Sequence, residues 1–387
     1  MKVLFIWHAA TDPHNRPLFE AMIRQPGLDL LVLTLPRVED RQAVWRLSRP
    51  IARRDPRSAS SYRLVPGRTV WTGHLGHHFY LDLPLHLRRF RPDLIHLAVG
   101  EAAMAVSVTS VLASRIFARR AVLLIETVQN LMTEYRWPWP LLQRLVLRSV
   151  DGAVAYSPGA RAVLRRRGVR GEIPIQPFGV DPGEFRPGRP SPWRRRMGRG
   201  APVIGWVGRM NLGKGLQVLL EASARMRRSH RLLIAGDGPQ QDAERAHAAR
   251  LGITRRITWA GSVPNRDMPG VYAAMDIYTH PAISRPPDWP AWKEQFARTL
   301  PEAMLSGVPV VGSRSGEIPW VVGRNGLLVP ERNPFALARS LDRLTASHAL
   351  RRHYGTLGRT NALRRFTWDA AAAGLVTIWR DRLARST

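Results

Sequence analysis

Short apolar runs alternate with helical patterns along the chain, and this alternation limits the possible folds more than any other feature of the sequence. The first run, Lys2–Trp7, leads into a polar loop. Comparable runs follow in the first half at Leu30–Leu35, Leu94–Val99, Ala121–Ile125, Gly152–Ala155 and Ile173–Gln176. Apolar strands separated by helices are typical of a parallel sheet covered on both faces. The first half therefore predicts a doubly wound α/β domain.

A stretch rich in proline and glycine runs from Phe178 to Gly200, and the alternation restarts after it. The strands predicted beyond it are Pro202–Val207, Arg231–Ala235, Ile257–Trp259, Ile277–His280, Val308–Val311 and Gly326–Val329. Two doubly wound halves place a ligand cleft between the carboxyl ends of two parallel sheets. We expect two Rossmann-like domains facing such a cleft, 1–185 and 186–365. An amphipathic helix within 366–387 can pack across either domain, and packing back on the first is one option.

The charge of the chain favours anionic partners. Lys and Arg number 59 against 29 for Asp and Glu, a formal charge of +30, and the excess is spread over both halves. A diffuse positive field suits nucleotide phosphates, phospholipid headgroups or nucleic acid. Nucleic acid is the least favoured of these, because no helix-turn-helix, zinc-finger or RNA-binding signature accompanies the charge. The chain has no cysteine, which excludes thiol catalysis and Cys-ligated metal sites.

The first motif is the glycine-rich segment Gly208–Gly215, between a predicted strand and a predicted helix. Glycines allow close backbone approach, Arg209 can bind phosphate oxygens with two donors, and Lys214 supplies a compact charge. Only three residues are lysines, which makes Lys214 conspicuous. The segment is not a Walker A loop, because the spacing differs and no Ser or Thr follows the lysine. It predicts a phosphate site, against the alternative of a plain turn with two solvated cations.

The second motif is a pair of glutamates, Glu294 and Glu302, with Pro301 between them. The proline argues against one unbroken helix through both, so we expect Glu294 in a loop and Glu302 in the following helix. Both carboxylates would then face one cleft. They suit a glycosidase acid/base pair, or acceptors for sugar and ribose hydroxyls. Two solvated surface glutamates are the alternative.

The third motif runs from Gly307 to Pro319, where a predicted strand enters a Ser/Gly loop and then a helix. Backbone amides at such a helix start, with Ser313 and Ser315, favour a second anion site. A carboxylate beside a diphosphate is repelled. We therefore expect the Glu317 amide to face the ligand and its carboxylate to turn away.

These segments together resemble one enzyme family, the family 4 glycosyltransferases, which are retaining nucleotide-sugar enzymes of the GT-B fold. The resemblance is close over the C-terminal half and loose over the N-terminal half. Its carriers, in order, are the Pro177–Asp181 and Phe185–Pro187 segments, the Gly208–Gly215 loop, the Ala235–Pro239 turn, Gly261–Pro264, the Glu294/Glu302 pair and Gly307–Val311.

The resemblance implies a role for each motif. Arg209 and Lys214 would hold the donor diphosphate, Glu294 would bind hydroxyls of the transferred sugar and Glu302 the ribose. Arg209, Lys214 and Glu294 are thus the catalytic candidates. The donor-binding candidates are Gly208, Val263, Phe296, Ala297, Glu302, Ser315, Gly316, Glu317 and Ile318. The enzyme would transfer the sugar onto a glycan or lipid-linked acceptor by stabilising the departing diphosphate. It would need no metal and no cofactor besides the nucleotide sugar. Cell-envelope or exopolysaccharide biosynthesis is the expected context.

The N-terminal half departs from the family pattern. The loop His8–Asn15 lacks the glycine pair of many members, and Ile125–Asn130 lacks a frequent histidine, where Glu126 can replace a polar contact. The candidates for the acceptor side are His74, His77, His78, Glu126 and Asn130. A plain polar loop is the alternative for the histidines and is favoured over metal binding.

Aromatic and basic residues also mix at Trp45, Arg49–Arg57 and Trp137–Trp139. Such mixtures suit contact with an anionic membrane, and equally a packed edge beside a solvated loop. The expected location is the cytoplasm, with attachment to the inner face of the membrane as an option. Three rival functions remain open at this point: a nucleotide-sugar epimerase on the same fold, a basic nucleic-acid-binding protein, and a sugar-binding module without turnover.

Overall fold

The structure, a computed structural model, describes residues 1–40, 43–70, 78–100, 102, 104–198, 200–284 and 292–386. The chain divides into two compact units. The first contains Met1–Gly179 together with Trp368–Thr387, and the second contains Val180–Thr367.

The strands of the first unit are β1 (Lys2–Ile6), β2 (Asp29–Thr34), β3 (Arg37–Asp40), β4 (Ala43–Arg46), β5 (Ile51–Arg54), β6 (Ser61–Pro66), β7 (Thr69–Val70), β8 (Phe79–Tyr80), β9 (Leu94–Gly100), β10 (Val122–Thr127) and β11 (Gly152–Ala155). The strands of the second unit are β12 (Val203–Val207), β13 (Arg231–Ala235), β14 (Ile257–Gly261), β15 (Ile277–His280), β16 (Val310–Ser313) and β17 (Leu327–Val329).

The helices of the first unit before its boundary are α1 (Pro17–Ile23), α2 (Leu83–Phe90), α3 (Ala105–Phe117), α4 (Trp139–Ser149) and α5 (Pro158–Arg166). The second unit follows with α6 (Pro192–Met197), α7 (Leu216–Arg225), α8 (Gln241–Arg250), α9 (Met268–Tyr272), α10 (Thr299–Leu305), α11 (Ile318–Val322), α12 (Pro334–Ala346) and α13 (His348–Arg365). The last helix, α14 (Trp368–Ala384), belongs to the first unit.

Each unit is built on one large sheet. The first has the order β11-β10-β9-β1-β2-β6-β5, parallel except for β5 at its edge. The second has the order β14-β13-β12-β15-β16-β17 and is parallel throughout. In both, the first strand lies inside the sheet and the order reverses beside it, between β1 and β9 and between β12 and β15. Ligands bind at such reversal points in doubly wound sheets.

The terminal helix α14 completes the first unit. Ala371, Leu375 and Trp379 are buried in the same apolar cluster as Phe5 and the residues of α1. The Trp379 ring meets the Phe5 ring edge-on, with centroids 5.9 Å apart. One face of the first sheet is therefore covered by the beginning and the end of the chain together.

The boundary between the units lies before Val180, earlier than the predicted 185. The Val180 amide donates to the Phe366 carbonyl at 2.8 Å, and the Phe185 ring packs on Tyr272 with centroids 5.7 Å apart. These contacts bind the start of the connecting segment to the second unit. Residues 366–367 belong to the second unit because both pair with Val180.

Two other predictions differ from the structure. The run Ile173–Gln176 contributes only a single bridge, Ile175 with Ala155, and the expected loop between Phe178 and Gly200 contains the helix α6. Ser191 caps that helix by accepting from the Arg194 amide at 3.1 Å. Within the described part of the chain, no helix has the length and apolar character needed to cross a bilayer.

Candidate active site

The candidate site lies where the order of the second sheet reverses. The segment Gly208–Gly215 follows β12, and residues 281–284 follow β15. The two segments are in backbone contact, since the Ile283 amide donates to the Gly213 carbonyl at 2.9 Å. Gly215 has φ of +69°, and a Cβ there would lie 1.9 Å from the Pro281 carbonyl oxygen. Only glycine fits both the conformation and the space.

Lys214, Glu294 and His280 form the centre of this site. The Lys214 Nζ donates to Glu294 Oε2 at 2.7 Å, and the His280 Nε2 lies 2.8 Å from the same oxygen. Glu294 and His280 are buried, whereas Lys214 keeps 21% of its side chain exposed. The Lys214 ammonium also lies 5.5 Å from the centroid of the Trp292 ring. A cation that solvent can reach is thus held beside a buried carboxylate.

The protonation states follow from this geometry. Burial alone would raise the pKa of Glu294, but the charge of Lys214 and the bond from His280 outweigh it and hold the pKa well below its usual range. Burial lowers the pKa of His280, so the ring is neutral near pH 7. The Tyr278 hydroxyl lies 3.1 Å from His280 Nδ1. These contacts assign the proton of the neutral ring to Nε2, which donates to Glu294, and leave Nδ1 to accept from Tyr278.

The backbone around Glu294 is fixed by the loop after β16. Gly316 has φ of +49°, and a Cβ there would lie 2.1 Å from the Glu294 carbonyl oxygen. The Glu317 amide donates to that carbonyl at 3.0 Å, and the Ile318 amide donates to the Ser315 carbonyl at 3.0 Å. The expectation that the Glu317 amide faces a ligand is therefore wrong in this structure, because the loop uses that amide to position Glu294.

Ser315 is fully buried in a polar cluster beside this loop. Its hydroxyl lies 3.0 Å from the Ser284 hydroxyl, which in turn donates to Glu331 Oε1 at 2.8 Å. The Ser284 amide donates to Glu331 Oε2 at 2.8 Å. The cluster ties the segment after β15 to the segment after β17, and so supports the loop that holds Glu294.

Arg209 differs from Lys214 in having its side chain exposed. In the described part of the chain its guanidinium forms no hydrogen bond and no ion pair. The neighbouring Gly208 donates its amide to the Ala235 carbonyl at 3.0 Å. Its own carbonyl oxygen would lie 1.9 Å from a Cβ on Gly236. Gly208 therefore lies where two turns pass close to each other. Arg209, in contrast, is available to an anion.

Glu302 lies on α10 in a cluster of its own. It accepts from the Tyr272 hydroxyl at 2.8 Å, and its other oxygen lies 3.7 Å from Arg298 Nε. Burial raises the pKa of Glu302, and Arg298 and Tyr272 offset part of the increase. The Tyr272 and Tyr278 rings, with centroids 5.6 Å apart, connect this cluster to His280. The predicted loop position of Glu294 and helical position of Glu302 agree with the structure.

The remaining donor-side candidates are buried around these clusters. Phe296 packs edge-on against Phe366, with ring centroids 5.7 Å apart. Ala297 has φ of +54°, a conformation that costs a non-glycine residue about 1–2 kcal/mol and that persists mainly at functional sites. Val263 lines a surface groove of about 390 Å³ together with Trp193 and Arg196.

Those acceptor-side candidates that the structure describes, His78, Glu126 and Asn130, do not form one exposed group. His74 and His77 lie outside the described residues. His78 is fully buried, and its ring meets Tyr80 edge-on at 5.2 Å between centroids. Asn130 is half-buried after the end of β10. His78 therefore reaches no solvent from which an acceptor could approach.

Glu126, at the carboxyl end of β10, is buried in a hydrogen-bonded chain. Its Oε2 lies 3.0 Å from His96 Nε2, and the Trp379 indole donates to His96 Nδ1 at 2.9 Å. The indole bond leaves the His96 proton on Nε2, where it is donated to Glu126. Burial, and then the nearby Glu126, raise the pKa of Tyr156 well above its usual value.

Sequence reasoning did not assign His280, His96 or Trp379 to any cluster. His280 had a visible signal, because it ends a predicted strand in the half that carries the phosphate motifs. His96 and Trp379 had none, since they are far apart in sequence and meet only through the packing of α14.

Comparisons with known proteins bear on this site. Residues 201–347 match the family model described as Glycosyl transferases group 1. A D-inositol 3-phosphate glycosyltransferase of Corynebacterium jeikeium is 32% identical over 226 residues, which is 54% of this chain and 52% of the relative. The chain spans about half the length of the curated relatives it matches.

Solved structures match over nearly the whole chain. Sucrose-phosphate synthase from Thermosynechococcus elongatus has a TM-score of 0.72 at 20% identity and covers 100% of both chains. Anabaena HepE in complex with UDP also has a TM-score of 0.72 at 20% identity, covering 98% of this chain and 100% of that one. Together with the two parallel sheets, these matches confirm the predicted fold class, a pair of doubly wound domains as in GT-B proteins.

Proposed function

We propose that this protein is a retaining family 4 glycosyltransferase that moves a sugar from a nucleoside-diphosphate sugar to a glycan or lipid-linked acceptor. The observation that carries the proposal is the pairing of the partly exposed Lys214 with the buried Glu294, on a loop that also carries the exposed Arg209. Further support comes from the match of residues 201–347 to a glycosyl transferase model and from the similarity to a structure that holds UDP.

Arg209 and Lys214 bind the diphosphate in this proposal. When the bond from the anomeric carbon to the diphosphate breaks, negative charge grows on the departing oxygen. Lys214, held in place beforehand, stabilises that charge without a reorganisation step, and the exposed Arg209 adds a second cation from the same loop. Lys214 is already oriented by Glu294, so it needs no new contact to be in position. The step requires no metal ion and no further cofactor.

Glu294 and Glu302 accept hydrogen bonds from the donor. Because Lys214 and His280 keep Glu294 ionised, its carboxylate can accept from hydroxyls of the transferred sugar. Glu302 accepts from the ribose, and Tyr272 fixes its carboxylate. Val263 lies beside the base, and the backbone of Phe296, Ala297 and Gly316 borders the sugar. Retention requires the acceptor to attack on the face from which the diphosphate leaves.

A thermal-shift panel with UDP, GDP, ADP and their sugar conjugates tests donor binding and names the base. We expect one nucleotide series to raise the melting temperature, and its sugar conjugate to be consumed in the presence of acceptor. The anomeric configuration of the product, read by NMR, tests retention. Stabilisation by none of the nucleotides would contradict the proposal.

Two rivals are separated by the same material. An epimerase would release the nucleotide and an altered free sugar with no acceptor present. A nucleic-acid-binding protein would show salt-sensitive binding to DNA or RNA that Lys214→Ala leaves unchanged. Neither is favoured by the relatives, which are named as glycosyltransferases.

A further inference from the structure

Exposed apolar side chains are concentrated on one part of the first unit. Among the described residues, 11 large apolar side chains are exposed, and 8 of them lie between Leu81 and Leu145. Single exposed apolar residues are ordinary, whereas a cluster of them marks an interaction surface. The region from Leu81 to Leu145 is therefore a candidate interaction surface.

Three consecutive helices carry the cluster. α3 and α4 each expose two aliphatic residues spaced four apart, and α2 exposes one, with a further leucine exposed in the turn before it: Leu112 and Ile116 on α3, Leu141 and Leu145 on α4, Leu85 on α2 and Leu81 in the turn. Residues four apart lie on one side of a helix. We call these six residues the outer helix face. Trp137, just before α4, has 84% of its surface exposed beside it.

The three helices form one layer. The guanidinium of Arg88 on α2 lies over the Phe117 ring of α3 at 4.7 Å. Arg115 on α3 donates to the carbonyl of Ser149, the last residue of α4, at 2.8 Å. The inner sides of all three helices pack in one apolar cluster against the same face of the sheet. The outer helix face is therefore continuous across them.

Within the three helices, the charged side chains have a single sign. Carboxylates stand only at their ends, where Asp82 accepts from the Arg68 amide before α2 and Asp151 pairs with Arg115 after α4. No aspartate or glutamate occurs within α2, α3 or α4. Exposed arginines follow or lie between the apolar pairs, at Arg88–Arg89, Arg119–Arg120, Arg144 and Arg148. A second copy of the same face would bring arginine against arginine, so self-association is opposed by repulsion. Aliphatic residues among arginines, with an exposed tryptophan, suit the headgroup region of an anionic bilayer.

We propose that the outer helix face docks on anionic phospholipid, with the aliphatic side chains and Trp137 entering the interface and the arginines contacting headgroup phosphates. The inference goes beyond the proposed sugar transfer, because it requires neither donor nor acceptor. The second unit provides an internal contrast. Its exposed Phe335 stands on a helix that also carries Asp342, and Arg225 covers the ring at 4.9 Å.

The absence of cysteine from the chain allows a direct test. Leu141→Cys and Phe335→Cys each create one site for an environment-sensitive fluorophore. With vesicles of phosphatidylglycerol and phosphatidylcholine, the label at 141 should shift to a less polar environment and the label at 335 should not. Vesicles of phosphatidylcholine alone should shift neither label.

Cosedimentation of the unlabelled full chain gives the affinity. We expect the pair Arg144→Ala and Arg148→Ala to lower vesicle binding by about 25-fold, since each arginine near the surface is worth about 1 kcal/mol. The pair Leu141→Gln and Leu145→Gln should lower it by about tenfold or more. These positions are exposed, and unchanged thermal unfolding verifies that the variants are folded.

Three results would overturn the inference. They are no binding of the unlabelled chain to anionic vesicles, equal shifts at both labels, or a dimer in solution that the Leu141→Gln and Leu145→Gln pair dissociates. Failure of vesicle binding would leave nucleotide binding intact, so it is distinguishable from failure of the proposed enzymatic activity.

Discussion

The two units each bury a glutamate against a histidine near the carboxyl ends of their parallel strands, yet the two pairs are finished differently. In the second unit, Glu294 contacts Lys214, whose ammonium solvent can reach. In the first, His96 beside Glu126 is held by the indole of Trp379 from the terminal helix. The third residue in contact with such a pair decides how the pair is used. A cation that solvent can reach is available to an anionic ligand, whereas a buried indole holds the pair within the core.

The largest effect is expected from removing Lys214, the cation that contacts Glu294. Lys214→Ala should lower kcat/KM for the nucleotide sugar about 100- to 1000-fold, because a positioned charge at the leaving group is lost. Lys2→Ala, an exposed lysine of the first unit, is the matched control and should change kcat/KM by less than about twofold. Initial rates at several donor concentrations measure both. Equal effects of the two substitutions would refute the role of Lys214.

The next effect concerns the support of Glu294. Gly316→Ala should lower the free energy of unfolding by about 2–4 kcal/mol, because the added Cβ would lie 2.1 Å from the Glu294 carbonyl oxygen. Gly27→Ala in the first unit has a similar φ of +72° with nothing within 4 Å, and should cost about 1 kcal/mol. Urea unfolding of both variants separates the cost of the close contact with Glu294 from the cost of the positive φ. Similar losses in the free energy of unfolding would show that the contact contributes nothing.

A smaller effect tests the hydrogen bond from Trp379 to His96 in the first unit. Trp379→Phe keeps most of the ring but removes the N–H that His96 accepts, which should cost about 1–2 kcal/mol of stability. Donor binding should stay unchanged, in contrast to Lys214→Ala. Thermal unfolding and nucleotide titration report the two quantities. A loss of nucleotide affinity without a loss of stability would contradict the structural role assigned to Trp379.

The last effect concerns Glu244, a buried glutamate that forms no ion pair within the described residues of the chain. Burial raises the pKa of Glu244 to about 7, whereas Glu294 is shifted the other way. Since the folded protein binds the Glu244 proton more tightly than the unfolded chain does, this residue lowers stability as pH rises from about 4.5 to about 7. Glu244→Gln should therefore add stability at pH 8 and little at pH 4. Unfolding measured at both pH values checks it, and an equal gain at both would contradict it.

The sequence predicted the buried part of the fold well, because continuous apolar strands such as Lys2–Ile6 and Val203–Val207 carry a strong local signal. It missed β5 and β6, whose burial is one-sided: in Ser61–Pro66, Tyr62 and Leu64 are buried but Arg63 is exposed. Strands at a sheet edge mix polar and apolar residues, so a search for apolar runs passes over them.

The site was predictable in its residue types and less so in its contacts. Arg209, Lys214 and Glu294 could be named because motifs carry them. That the Glu317 amide serves the Glu294 carbonyl, and that His280 shares the Glu294 oxygen with Lys214, depends on loops that meet only after folding. Spacing along a chain does not encode such meetings, whatever the motif.

The return of α14 to the first unit sets an order of events during synthesis. Ribosomes release the N-terminal segments first, and domains commonly fold as they emerge. Here one side of the first sheet waits for Trp368–Ala384, so its apolar surface stays uncovered while the entire second unit is translated. Nascent chains of this protein should accordingly bind chaperones until α14 has emerged, and removal of α14 should yield aggregates from a first unit whose own strands are all intact.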